Sequence, residues 1–594
     1  MSNHGSDQDD TRELLIIYAT ETGNAQDTAD YIARQCRRIH IRCRISNIED
    51  ITVTDLLYET VVVFVISTTG SGVEPRSMTP LWTSLLRSNL PKDTFEDLSF
   101  TVFGLGDTAY EKFCWAAKKL SRRMQSLGAT EFVERGEGDD QHQLGLDGTL
   151  RPWTESLVTR LVDVFPLPEG LQIEPNSRLP PPRVSLKSAD DQKADDQEAR
   201  ILGLPYYQAT VKANRRTTPP EWYQDVRQIE LGFNEDIMYE PGDVAVIHPI
   251  TQATEVEQFL VSLDWGENLD NPLEFKKNVY DQSIPPHIPK VTTLRCLFSR
   301  FLDFNAVPRR AFFQFLRHFT TDELEREKLD DFLSVEGADE LYEYCYRVRR
   351  TIQEVLQEFR SVKIPMDYIF DVFPPLRPRE FSIASSVTKH PREIQLCIAI
   401  VRYRTKLKLP RKGVCTSYIS ALQQGDAVQV GIKKGFIKLP TNLHTPVLCI
   451  GPGTGIAPMR AVMEKRIALG AYANSLYFGC RSSQKDHHYG SEWKEYSSQQ
   501  KLHYRVAFSR DQPEGEKRIY VQDLIMEDAE HIWNVIGLHK GWVYISGSSN
   551  KMPSAVKEAI ARAVEIRSGL SADAAQKYVR DMVLEGRLME ECWG

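Results

Sequence analysis

Leu14–Ala25 reads LLIIYATETGNA. Leu14 to Tyr18 is an apolar run of strand length, and a helical pattern follows from Ala25 to Arg38. Between them the turn Thr20–Asn24 offers hydroxyls, a glycine and exposed backbone N–H groups. A strand that feeds a helix through such a turn favours an anion at the helix start. No lysine or arginine lies in the turn, which separates it from a nucleoside-triphosphate P-loop. Taken alone, TETG reads equally well as a helix cap.

The neighbouring sequence repeats the pattern. Val61 to Ile66 is a strand rich in β-branched residues, and Phe100 to Phe103 is another, followed by a helical stretch from Tyr110 to Leu127. Continuous apolar strands alternating with amphipathic helices predict a parallel sheet covered on both faces. In such sheets ligands bind beyond the C-terminal strand ends. Two further polar loops follow strands there, Ser67–Gly72 (STTGSG) and Gly104–Tyr110 (GLGDTAY). Their glycines admit close backbone approach to a flat ring, and Tyr110 offers a face for stacking. The acidic stretch EFVERGEGDD ends at Asp139 and Asp140.

The chain has 594 residues, too many for one core, and several domains are expected. With 41% hydrophobic and 26% charged residues it has the balance of a globular protein. A formal net charge of −9 disfavours non-specific nucleic-acid binding. No run of 18 to 20 apolar residues is present, so no transmembrane anchor is expected, and MSNHGSDQDDTRELL carries no signal-peptide core. The ten cysteines are scattered without a C-x-x-C pair. They read as thiols of a reducing compartment, which makes a cytoplasmic location the expectation. No metal site is expected.

Five segments follow. Residues 1–11 are expected to be disordered, and 12–165 form the first α/β domain. Residues 166–200, rich in proline and then in charge, read as a flexible linker. Residues 201–440 read as a β-barrel interrupted by a helical insertion at 252–365. Residues 441–594 form a second α/β domain with a terminal helix near Asp573 to Glu585.

The barrel segment contains REFSIASS, Arg379–Ser386. On an extended strand Arg379 and Phe381 share a face, so a pyrophosphate-pairing cation lies beside a ring that can stack on a flavin. Gly413–Ser417, GVCTS, opens a helix whose N–H groups suit the same pyrophosphate. The strand Val447–Ile450 runs into GPGTGIAPMR, where Gly451, Gly453 and Gly455 permit a tight turn over a dinucleotide and Pro458 starts a helix. This loop is not the usual G-x-G-x-x-G fingerprint. Arg481, Ser509, Arg510, Lys517, Arg518, Tyr520 and Gln522 follow strands of this domain, and such donors suit a 2′-phosphate. A charge run such as that around Lys517 also reads as solvated surface. At the end of the chain, EECWG, Trp593 reads alternatively as packing.

Together these loops resemble the diflavin reductases, a family that includes cytochrome P450 reductase. The resemblance covers nearly all of residues 12 to 594. It implies a flavodoxin-like parallel-sheet domain, a ferredoxin-reductase-like FAD barrel with a helical insertion, and an α/β NADPH-binding domain. FMN would be held by Thr20, Glu21, Thr22, Gly23, Asn24, Ala25, Thr68, Thr69, Gly70, Gly104, Leu105, Gly106, Asp107, Tyr110 and Asp139. FAD would be held by Arg379, Phe381, Ser382, Cys397, Ala399, Gly413, Val414, Cys415, Thr416 and Trp593. NADPH would be held by Gly453, Thr454 and the seven residues named above. The resemblance assigns the catalytic roles to Ser382, Glu591 and Trp593. It implies electron flow from NADPH through FAD and FMN to a protein acceptor.

This chain departs from the family pattern at four places. Thr69 stands where many members have an aromatic, Phe381 where tyrosine is usual, Ser546 where cysteine is common, and Glu591 where aspartate is common. The likeness runs to the soluble reductases of cytosolic iron–sulfur protein assembly, which implies a small Fe–S scaffold protein as acceptor. The alternatives are a soluble reductase of the cytochrome P450 or sulfite-reductase type, and a flavin-free interaction scaffold.

Overall fold

The computed structural model describes residues 12–593 except 70, 71, 111, 190–192, 195–199, 202, 203, 280, 281, 283, 285–287, 406, 407, 436 and 550, with Asn268 described by its backbone alone. The N-terminal segment 1–11 and the flavin-loop residue Gly70 therefore lie outside the described residues. The chain forms two compact units. One takes in Met1–Gln197, Ala253–Arg377 and Thr405–Leu407, the other Glu198–Gln252, Pro378–Arg404 and Lys408–Gly594.

The first unit is built on a parallel sheet. Its strands lie in the order Arg42–Asn47, Glu13–Ala19, Val61–Ser67, Ser99–Gly106, with Thr130–Glu131 and Gly136–Asp139 both paired to the last of these. Order reverses at Glu13–Ala19, and that switch point opens a crevice at the C-terminal strand ends. Alternation along the strands covers both faces. Leu14, Ile16, Val63 and Phe103 pack with the helix Asn24–Arg37 and the helix Asp147–Val164. Leu15, Ile17, Phe64 and Val102 pack with the helix Trp115–Ser126 on the other side. Each fully buried aliphatic side chain contributes about 1.5–3 kcal/mol, so the strands are fixed in a two-sided core before any ligand arrives.

The helical insertion belongs to this unit. Its helix Arg310–Phe319 buries Phe312, Phe313, Phe315, Leu316 and Phe319, while Arg310 donates to the carbonyls of Phe332, Leu333 and Ser334 and Arg317 pairs with Asp330. Phe259 and Phe304 stack with centroids 4.3 Å apart. The stretch expected to be a loose linker is built in as far as residue 188. Val184–Ser188 is a strand paired antiparallel to Leu273–Lys277. Arg183 bridges Asp30 and Asp371, each at 3.1 Å. Composition concealed this strand because its partner lies some ninety residues ahead in the chain.

Among the described residues the second unit holds two large sheets and a small antiparallel pair, Arg402–Arg404 with Pro410–Lys412. Arg379–Ser382, Val244–Ile247, Ala427–Lys433, Tyr206–Arg216, Val226–Phe233 and Glu393–Ala399 form an antiparallel sheet in that order. A bridge from Ile383 to Leu396 brings the first strand back to the last, so the sheet curls almost closed. The other large sheet is parallel, in the order His503–Phe508, Asn474–Cys480, Val447–Ile450, Trp542–Ser548, Leu588–Trp593. Its last strand is the segment the sequence presents as a polar tail after the helix Ala572–Leu584. Leu588 is buried while the residues after it are only partly covered, so the strand sits at the sheet edge with little hydrophobic signal.

No helix among the described residues is long and apolar enough to cross a membrane. No disulfide joins the cysteines, and nine of the ten are buried.

Candidate functional site

In the first unit the expected loops line one edge of the sheet. Gly23 adopts φ +88°, a left-handed turn that ends the strand and starts the helix Asn24–Arg37. The Gly23 N–H donates to Thr20 Oγ1 at 2.8 Å. No side chain caps the helix, so its first N–H groups remain available to an anion. That arrangement fits a flavin phosphate. Two arginines that the turn itself lacks arrive from the segment Ala253–Arg377 of the same unit. Arg377 donates to the Gly23 carbonyl at 3.2 Å and to both Asp27 oxygens at 2.9 Å. Arg309 donates to Asn24 Oδ1 at 2.9 Å. A Cβ on Gly23 would fall 1.4 Å from Arg377 Nη1. Sequence reading missed both arginines, since each lies far along the chain from the turn.

The other members of this group divide by what they touch. Thr22 lies in the turn and is exposed, whereas Ala25 is buried in the helix's inner face. Glu21 accepts the Arg76 N–H at 2.7 Å and so braces the neighbouring loop. Thr68 donates its N–H to Leu105 O at 2.9 Å, while Thr69 exchanges backbone bonds with Val73 to close a tight loop. Gly104 and Gly106 have a packing reason. A Cβ on the first would meet Ala117 Cβ at 2.7 Å, and one on the second the Cys114 nitrogen at 2.8 Å. Leu105 between them is buried. Asp107 and Asp139 hold the loop that carries half-buried Tyr110. Asp107 accepts from Ala109 N–H at 2.7 Å, and Asp139 from the Thr108 N–H at 3.0 Å and hydroxyl at 2.8 Å. Burial works against the Asp139 charge, but the Thr108 and Gln141 donors outweigh it and keep its carboxyl below the usual range. Much of the adjoining acidic run is internally satisfied. Glu137 pairs with Lys118 and Arg135, and Glu131 accepts from Ser121 and Gln125, leaving Glu134 and Asp140 exposed.

In the second unit Arg379 and Phe381 alternate with Glu380 along the barrel strand Arg379–Ser382. They lie opposite Ile247 and Ala245, and Phe381 rests partly on the barrel core. Gly413 starts the helix Val414–Ala421 without a side-chain cap. A Cβ there would strike Thr416 Oγ1 at 2.6 Å and Val401 Cβ at 2.8 Å. Thr416 accepts the Val401 N–H at 3.1 Å, fixing the turn. Val414 is half-buried at the start of this helix. Burial pushes the Cys415 thiol up to about 12, against the pull of Arg379, which places that guanidinium's field on the helix's first turn. The uncapped N–H groups with a nearby cation fit a pyrophosphate. Cys397 lies in a core it shares with Trp493 and Met459, with Ala399 packed beside it. Burial raises the Cys397 thiol to about 11, so it acts there as an apolar packing group.

The nucleotide loop is tight. Gly453 adopts φ +61°, Thr454 follows it in a single 3-10 turn, and a Cβ on Gly455 would meet the Ser546 carbonyl at 2.1 Å. Arg481 and Arg510 sit at neighbouring strand ends, the Arg510 N–H donating to Arg481 O at 2.8 Å. Ser509 turns its hydroxyl to Cys480 O at 3.3 Å. Arg518 and Tyr520 are exposed, and Gln522 lies in the first turn of the helix Val521–Glu527. Lys517 pairs with Asp523 at 2.9 Å, so its charge is partly answered within the protein.

Three residues meet where the barrel strand approaches the edge strand. Ser382 Oγ donates to Glu591 Oε1 at 3.0 Å. Glu591 lies opposite Ser546 in the parallel register. Ser546 is fully buried, and its hydroxyl has no hydrogen-bond partner among the described residues. Trp593 follows two positions on, opposite Ser548, and is 40% exposed.

Comparison with known proteins gives a family match for each part. Residues 16–153 match the flavodoxin family, 205–418 the FAD binding domain family, and 449–558 the oxidoreductase NAD-binding domain family. Over its length the chain is similar to proteins called NADPH-dependent diflavin oxidoreductase 1. Identity is 37% with that of Xenopus laevis, 38% with that of Danio rerio and 35% with that of Schizosaccharomyces pombe. Each alignment covers 98% of this chain and 99% of the relative.

Proposed function

The chain belongs to the NADPH-dependent diflavin oxidoreductase family, and from that premise we propose that it moves electrons from NADPH by way of FAD and FMN to a small Fe–S scaffold protein of cytosolic iron–sulfur cluster assembly, in the cytoplasm. It is an oxidoreductase with FMN, FAD and NADPH as its cofactors. When bound, these groups supply the redox chemistry, joining a two-electron donor to one-electron delivery, while the protein supplies position and electrostatics.

The observation that carries the reading is the Ser382–Glu591 contact. It sets a hydroxyl and a carboxylate of one chain at the meeting point of a flavin-type barrel strand and a nucleotide-type sheet. With the nucleotide bound, Glu591 would supply negative charge near the nicotinamide and Ser382 would hold that carboxylate in place. Arg379, Phe381, Gly413, Val414, Cys415 and Thr416 would hold FAD, with Cys397 and Ala399 behind them. Gly453, Thr454, Arg481, Ser509, Arg510, Arg518, Tyr520 and Gln522 would hold NADPH, with Lys517 at the rim. The turn Thr20–Ala25, the loop at Thr68 and Thr69, and Gly104–Asp107 with Tyr110 and Asp139 would hold FMN. Trp593 would cover the flavin face until nicotinamide displaces it. Exposed Glu134 and Asp140 beside the FMN loops favour an acceptor with a basic face.

The test is to add NADPH to the anaerobic protein mixed with candidate acceptors and follow each acceptor's own absorbance. Rapid reduction of an Fe–S scaffold protein, with slow reduction of a cytochrome, is the expected result. Preferential reduction of a haem protein or of sulfite reductase would contradict the acceptor named here.

A further inference from the structure

Two aromatic residues of the barrel stand over the cations of the nucleotide half. Trp222 and Tyr223 lie in the loop between the strands Tyr206–Arg216 and Val226–Phe233. The Arg481 guanidinium is 4.5 Å from the Tyr223 ring centroid, and that of Arg510 is 6.0 Å from it. Lys485 Nζ is 5.0 Å from the Trp222 ring. Tyr223 is 58% exposed, so hydrophobic burial does not explain its place. Its neighbour is anchored, because Arg216 donates to the Trp222 carbonyl at 2.8 Å. The Trp222 indole N–H is buried with no hydrogen-bond partner among the described residues.

Two guanidiniums held together repel each other. Burial and the Arg510 charge both act against protonation of Arg481. Among the described residues no carboxylate forms an ion pair with either arginine. Asp486, the acid that acts on Arg481 through space, uses its oxygens on the N–H groups of Arg481 and Ser482. What answers the pair is the electron-rich face of Tyr223. A ring cannot neutralise two charges, so it holds them without satisfying them, and a dianion remains the better partner.

We propose that Tyr223 is a specificity-positioning residue for the adenosine 2′-phosphate of NADPH, keeping Arg481 and Arg510 side by side in the protein without nucleotide. The proposal rests on reading this cluster as the NADPH site. It extends that site to a barrel loop more than 250 residues before the cations it serves.

The test is calorimetric binding of 2′,5′-ADP and of 5′-ADP to the full-length holoprotein. Tyr223→Leu keeps apolar bulk and removes the π face. It is expected to weaken 2′,5′-ADP roughly fivefold or more while leaving 5′-ADP within about twofold. Tyr223→Phe keeps the face and is expected to bind both nucleotides as the parent does. An unchanged 2′,5′-ADP affinity in Tyr223→Leu, or equal weakening of both nucleotides, overturns the proposal. Arg481→Ala and Arg510→Ala separate the two levels of the argument. If they abolish the preference for 2′,5′-ADP and Tyr223→Leu does not, only the role of the ring is wrong. If they leave the preference intact, the NADPH reading of the cluster fails and the role of Tyr223 fails with it.

Discussion

Ser382 gives its hydroxyl hydrogen to Glu591 Oε1 across 3.0 Å, linking a barrel strand to the last strand of the nucleotide-binding sheet. The two residues are 209 positions apart. Nothing local aligns them, so the bond reports that the two large sheets of this unit are assembled around a shared polar point.

Removing either partner should slow flavin reduction by NADPH. Ser382→Ala and Glu591→Ala are each expected to cost roughly tenfold in stopped-flow rate, about 1.4 kcal/mol in the barrier. Ser546→Ala removes a buried hydroxyl that has no partner among the described residues, so the rate should change less. Stability should hold or rise by up to about 1 kcal/mol. A native rate in Glu591→Ala with full FAD content would remove that carboxylate from the mechanism.

Trp593 is 40% exposed, so truncating it should not unfold the edge strand. Trp593→Ala is expected to raise kcat/KM for NADH, because less has to be displaced before nicotinamide reaches the flavin. Steady-state kinetics with both nucleotides check this, and unchanged values would leave the ring a surface feature.

Discrimination between the nucleotides should sit in the arginines. Arg510→Ala and Arg518→Ala are each expected to raise KM for NADPH roughly tenfold or more, since each removes a charge-assisted hydrogen bond. KM for NADH should move little. Equal changes for the two would place the 2′-phosphate elsewhere.

Glu464 links acid stability to the second unit. Its carboxylate is fully buried and pairs with Arg460 at 2.9 Å and Lys389 at 3.0 Å, while His390 Nε2 lies 3.1 Å away. Burial pushes its pKa up, but His390, Arg460 and Lys389 outweigh burial and hold it below 4.5. The folded value therefore lies below the unfolded one. The stabilisation is complete above the unfolded pKa and is lost as pH falls through the folded one. Glu464→Gln should destabilise this unit by about 3 kcal/mol near neutrality and flatten its acid dependence below pH ~4.5. Thermal melts from pH 7 downward would show it, and parallel curves for the two proteins would contradict it.

The parts legible in sequence were those whose signal is local. LLIIYATETGNA and VLCIGPGTG each carry strand, turn and helix start within a dozen residues, so chain geometry alone predicts where their N–H groups point. What stayed hidden depends on distant partners. Leu588–Trp593 reads as a polar tail because an edge strand takes its pairing from Trp542–Ser548 and not from its own hydrophobicity. Val184–Ser188 is masked by the prolines and charges around it. Arg377 and Arg309 reach Gly23 and Asn24 from the segment Ala253–Arg377, and no spacing rule connects them. Gly104 and Gly106 look like ligand-approach glycines in sequence, yet Ala117 and Cys114 already require them.

The central claim, that this chain takes electrons from NADPH onto two different flavins, meets its most direct test in an anaerobic titration of the purified holoprotein with NADPH, followed at the visible flavin band. Full bleaching is expected at about two equivalents of NADPH per chain, four electrons for one FAD and one FMN. An end point near one equivalent in fully folded protein, or a flavin band that NADPH leaves unchanged, would contradict the account.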